Sequence, residues 1–176
     1  MKPIITLLTD FGNKDAYVSS MKGVILAISR EACMVDISHE VGAQNVREAA
    51  WILLSAYPYF PAGTIHVVVV DPGVGSSRRK ILCARTRAGY FLAPDNGVLS
   101  PVLEREGTFT LREVRNPKFF RKEVSATFHG RDKFAPVAAH LARAGRSGRL
   151  KIFSRLGPVV RGYERLRWPR PQFSSR

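Results

Sequence analysis

An α/β architecture, a three-layer α/β/α sandwich around a mainly parallel sheet, is what this 176-residue sequence predicts. Three observations predict it. Short apolar runs bounded by turn residues alternate with stretches of helical periodicity. One run, "IHVVVV" at residues 65–70, is apolar at every position but one, as in a strand covered on both faces. A hydrophobic content of 45% is ample for one domain with its own core.

The elements follow in order. Residues 2–9 read as a strand, and residues 16–29 as a helix with Met21, Val24, Ile25 and Ile28 on one face. Residues 33–37 make a short strand. Asn45 with Glu48 has capping-box spacing and opens a helix that runs to Tyr57, before Pro58 and Pro61 stop it. Residues 64–70 form the valine strand. Residues 80–86 and 90–93 pair as a hairpin, a helical turn follows Asn96, and residues 131–144 form another helix. These elements make residues 1–145 an N-terminal α/β domain. Beyond Gly145 the periodicity fades into a stretch rich in Gly, Pro and Arg, so residues 146–176 read as a basic, linker-like tail or domain edge.

The formal net charge of +14 is unevenly spread: residues 141–176 carry +9, and residues 1–140 carry +5. Such a tail attracts polyanions without specificity, but the chain has no RRM, KH or zinc-finger pattern, so nucleic acid is not the expected partner. No apolar stretch has transmembrane length and no signal-peptide core precedes Asp10, which points to the cytosol and away from a membrane. Cys33 and Cys83 lie in apolar runs without neighbouring ligands, so both are expected as buried, reduced thiols. The four histidines fall in separate segments with no metal-ligand spacing, so no metal is expected.

Three polar loops follow strand-like runs: "TDFG" at residues 9–12, "DPGVGSSRR" at residues 71–79, and "TFHGRD" at residues 127–132, which precedes a helix. In open α/β sheets ligands collect beyond the carboxyl ends of the strands. If the strands are parallel neighbours, Asp10, Asp71, Arg78 and His129 converge on one cleft.

Five segments in order, "TDFG…DAYVSSMKG", "VDISHEV", "YFPAGTIHVVVVDPGVG", "APDNGVLS" and "TFHGRDKFAPVAAHLA", resemble the S-adenosylmethionine (SAM) hydroxide adenosyltransferases, or SAM hydrolases. These are relatives of the SAM-dependent fluorinases and chlorinases. The resemblance covers residues 1–145. It implies an α/β/α N-terminal domain, a small β-barrel second domain, and a homotrimer with sites between subunits. It also implies attack of water or hydroxide on ribose C5′ of SAM, giving adenosine and L-methionine without a cofactor.

By the same resemblance, Asp71, Arg78 and His129 match the family's Asp-Arg-His set that holds and activates the water. Arg79 is the alternative if the loop register differs by one. Either Asp71 or His129 is the base; an arginine beside Asp71 makes it a poorer one. Asp10 matches the acid that takes the ribose hydroxyls, a vicinal diol suited to a bidentate acceptor. Asp15 and Tyr17 match positions near the methionine end, where Asp15 could pair with the ammonium group or simply cap the first helix. "PDNG" at residues 94–97 reads as a turn beside the pocket. The halogenating relatives carry a tyrosine where this chain has Asp71. A fixed anion there repels halide by about 4 kcal/mol at 4 Å and an effective dielectric of 20, which favours hydrolase over halogenase. A non-catalytic SAM or adenosine binder is the other alternative. The sequence stops at Arg176 without the family's "DxFGNxxTN"-like stretch, so the β-barrel half of the pocket is expected to be absent, with weak SAM binding and impaired turnover.

Overall fold

A computed structural model describes residues 2–75 and 79–166. Six strands form one sheet: β1 (Ile4–Thr9), β2 (Cys33–Ser38), β3 (Thr64–Val69), β4 (Ile81–Arg85), β5 (Gly89–Pro94) and β6 (Thr110–Glu113). Their order is β2-β1-β3-β5-β4-β6. The first four in that order run parallel, Ile5 opposite Met34 on one side and Ile65 on the other. β4 returns antiparallel to β5, as the expected hairpin, and β6 is antiparallel to β4.

Both faces of the sheet are covered because both carry apolar side chains. On one face Ile5, Leu7, Val67, Val69 and Leu92 pack under α1 (Tyr17–Ile28) and α4 (Ala135–Arg143). On the other, Leu8, Val68, Val70, Phe91 and Ala93 pack under α2 (Val46–Ala56) and α3 (Ser100–Glu106). Every residue of β3 is buried, as a run apolar but for Thr64 and His66 implies. Its histidine is a core residue: His66 Nδ1 meets Thr6 Oγ1 at 2.8 Å and the ring stacks on Phe91 at 4.7 Å. Burial lowers the His66 pKa to about 4, so it is neutral.

Two expectations change. The stretch after Gly145 begins with a helix, α5 (Gly145–Arg155), held to the core by buried Arg149, Phe153 and Leu156. The chain then crosses the sheet edge, where Val160 N donates to Leu111 O and Glu164 N to Asp95 Oδ1. Cys33 is exposed rather than buried, because β2 is an edge strand; Cys83, on β4, is buried. Among the described residues no helix is long and apolar enough to cross a membrane.

Candidate active site

The chain passes from β1 through α1 to β2 on one side, then returns through α2 to β3 on the other side of β1. The loops after β1 and β3 therefore leave the sheet side by side, at the point where the winding reverses. Asp10 follows β1 and Asp71 follows β3, so the topology itself brings these two acids to one edge.

Asp71 opens a turn. Its Oδ1 accepts from Gly73 N at 2.9 Å, and Val74 N donates back to its carbonyl at 3.3 Å, with Pro72 preset for the second position. The same Oδ1 lies 3.0 Å from Arg79 Nε. That N–H is buried but not aligned as a hydrogen bond, so the contact is one of charge. Oδ2 of Asp71 accepts no hydrogen bond among the described residues. Arg79 is fixed a second time by donating to the backbone carbonyl of Asp95, and Asn96 Nδ2 donates to Val70 O at 2.8 Å, tying the β5 exit to the β3 exit. The "PDNG" turn is thus part of the site's frame. The sequence marked it as a turn beside the pocket; the bonds it makes through the Asp95 carbonyl and Asn96 Nδ2 had no such signature. Arg78 lies outside the described residues; the guanidinium that meets Asp71 here is the neighbouring Arg79, the alternative register.

His129 arrives from the other direction, at the start of a π-helical turn, Gly130–Phe134, that leads into α4. Burial and the Lys133 charge lower its pKa below 6.5, against the opposing pull of Asp71 and Asp132. Asp71 and His129 are therefore electrostatic neighbours although 58 positions separate them in sequence. Their loops meet where Gly75, at φ 82°, lies against the Ala126 carbonyl; a Cβ at Gly75 would stand only 2.6 Å from that oxygen.

Asp132, in that same π turn, is a residue the sequence reading passed over. It is wholly buried, accepts from Arg131 Nε at 2.7 Å and Ser125 N at 2.9 Å, and lies 3.2 Å from Arg121 Nε. Burial would raise its pKa, but these donors outweigh burial and hold it low. Its signal was an acid between Arg131 and Lys133 at the mouth of an otherwise apolar helix.

The remaining predicted positions lie around this centre. Asp10 Oδ2 accepts from Gln44 N at 2.8 Å, which holds Gln44 at φ 60°. Asp15 does not cap the first helix: Ala16 occupies that position, and no side chain caps it. Asp15, Tyr17, Ser20, Phe128 and Arg131 instead line a hollow of about 380 Å³. Tyr17 packs edge-on to Phe128 at 4.8 Å, and Phe11 closes the group at 5.7 Å from Tyr17. Among the described residues no group of three His, Cys, Asp or Glu side chains is placed to hold a metal ion.

The arrangement is an acid, a guanidinium and an imidazole at the end of a parallel sheet, beside an aromatic hollow. A family model described as the SAM hydroxide adenosyltransferase N-terminal domain matches residues 5–151. An (R)-S-adenosyl-L-methionine hydrolase from Methanocaldococcus jannaschii is 43% identical over 143 residues, covering 78% of this chain and 52% of that protein. A fluorinase from an Actinoplanes species is 30% identical over 162 residues, covering 80% of this chain and 54% of that protein. The crystal structure of a conserved protein from Thermotoga maritima superposes with a TM-score of 0.85 at 44% identity, over 94% of this chain and 62% of that one. The chain spans about half the length of the curated relatives it matches. On this sequence match, and on the fold that carries it, the chain belongs to the SAM hydroxide adenosyltransferase family and contains that family's N-terminal domain.

Proposed function

We propose that this chain carries the water-activating half of a SAM hydrolase site. Water forms a bond from its oxygen to ribose C5′ as the C5′–S bond breaks; the electron pair goes to sulfur, neutralising the sulfonium, and the water proton passes to the protein. The products are adenosine and L-methionine. The leaving group is already cationic, so the barrier lies in making the nucleophile, and no metal or cofactor is required by the reading. Asp71, with one oxygen anchored by Gly73 and Arg79, presents the other to the water. His129, whose pKa is lowered chiefly by burial, is neutral at pH 7 and accepts the proton. Arg79 stabilises the developing hydroxide, and Arg78, outside the described residues, is the alternative for that role. Asp10 accepts from the ribose diol, and Asp15 and Tyr17 hold the methionine end from the aromatic hollow.

The observation that carries this reading is the convergence of Asp71, Arg79 and His129 from two distant loops. Hydrolysis is preferred to halogenation because a carboxylate at the nucleophile position disfavours halide, and the hydrolase relative is 43% identical against 30% for the fluorinase. The reading includes a cytosolic homotrimer; Trp51 at 61% and Tyr59 at 89% exposure are large apolar side chains left for a partner to cover. Incubation of the chain with SAM, followed by chromatography, is expected to give adenosine and methionine in equal amounts, slowly. Product formation at the same rate in Asp71→Ala and His129→Ala overturns the reading.

A further inference from the structure

At the amino-terminal edge of the sheet, away from the site above, two arginines of α5 stand together. Arg149 is only 6% exposed. Its Nη1 donates to Gly63 O at 2.5 Å and its Nε to Leu141 O at 3.2 Å, while Arg146 Nη2 donates to Ala62 O at 3.2 Å. The loop accommodates them because Gly63 turns at φ 89°, and a Cβ there would already touch Arg149 Nη1 at 3.4 Å. Arg146 and Arg149 form the shared wall of two adjoining hollows. One, of about 420 Å³, also includes Lys2, Pro61 and Thr64; the other, of about 290 Å³, includes Arg85, Arg87 and Tyr90.

No carboxylate lines either hollow. Among the described residues, none lies within ion-pair distance of Lys2, Arg85, Arg146 or Arg149. Arg87 alone feels an acid, Glu106, whose oxygens are already taken by Tyr57 OH and Ala88 N. Burial and the adjacent Arg146 charge both work against the charged form of Arg149, with Tyr90 opposing them. A guanidinium does not give up its proton, so like charges stand together here with no carboxylate paired to them among the described residues.

We propose that the hollow lined by Lys2, Arg146 and Arg149 binds a free, multiply charged phosphate anion of about triphosphate length. Planar guanidiniums held by backbone carbonyls present their remaining N–H groups as a fixed fork, the geometry that matches phosphate oxygens. A concave pocket of a few hundred Å³ suits a compact ligand. A nucleic-acid strand would need a continuous basic groove instead.

Isothermal titration of the full chain with sodium tripolyphosphate tests this. Expected are one equivalent bound with a Kd below about 100 µM, weakening on raising salt, and at least a tenfold loss in Arg146→Ser and in Lys2→Ser. A full-length variant with Arg167, Arg170 and Arg176 replaced by serine is expected to bind within about twofold of the parent. Arg149→Lys, which retains the charge but not the fork, is expected to lose affinity while circular dichroism shows it folded. No binding at 1 mM overturns the proposal, as does affinity lost in the tail variant but retained in Arg146→Ser. Binding of oligo-dT but not of tripolyphosphate, abolished by Arg146→Ser, also overturns it.

Discussion

Asp71 serves two purposes with its two oxygens. Oδ1 closes the turn after β3 and faces Arg79, while Oδ2 accepts nothing among the described residues. Asp71→Ala therefore removes both the turn acceptor and the partner of Arg79. The account expects the rate of SAM hydrolysis to fall at least 10²-fold in Asp71→Ala and in His129→Ala, with the fold retained by circular dichroism. A base must be unprotonated to act, and the His129 pKa is shifted downward by burial first and Lys133 second. Activity should thus hold down through pH 6.5 and fall tenfold per unit only below the shifted value, read from a pH profile of kcat/KM. Gly75 is tested by Gly75→Ala, which puts a methyl group against the Ala126 carbonyl in a left-handed conformation. Urea unfolding is expected to show a loss of about 1–2 kcal/mol.

At the scale of elements, the turn and helix starts position the side chains of the candidate site. His129 begins the π turn whose buried anion, Asp132, accepts from Arg131 and from Ser125 N. Asp132→Asn leaves the donors without a counter-charge and is expected to cost about 2 kcal/mol in urea unfolding. Because His129 is mis-set at the same time, kcat should fall more than KM changes. The start of α2 works similarly for Asp10. Asn45 accepts from Glu48 N, Glu48 Oε2 accepts from Gly42 N and Asn45 Nδ2, and the loop between them presents Gln44 N to Asp10. The Asn45 cap was legible from the spacing of Asn45 and Glu48, although Asn45 N donates to Gly42 O and not to Glu48, and so were α1 and β3, whose apolar patterns are long. β6 was not, since four residues reading "TLRE" carry too little pattern. α5 was hidden for another reason. Its sequence "GRSGRLKIFSR" holds two glycines and four cations, and only tertiary packing of Arg149 and Phe153 makes it a helix.

For the whole molecule, the sheet's order decides what the site can contain. Because β1 and β3 are neighbours at the reversal of winding, Asp10 and Asp71 leave the sheet at the same edge, and sequence reasoning could name both from their place after apolar strands. It could not choose between adjacent Arg78 and Arg79, because register within a glycine-rich loop is set by contacts such as Arg79 with the Asp95 carbonyl. The core carries its own titration. His66 is neutral in the fold, with a pKa of about 4. The unfolded chain takes up a proton near the ordinary value of about 6.5, so this stability is whole above that pH and drains as pH falls from 6.5 to 4. The loss is about 3 kcal/mol, and His66→Gln should flatten the pH dependence of the urea midpoint over that window. The central claim, that Asp71 and His129 share one pocket, is tested most directly by NMR titration of the His129 ring in the parent chain and in Asp71→Asn. The account predicts a His129 pKa below 6.5 that drops further when the Asp71 charge is removed; an unchanged value in Asp71→Asn would contradict it.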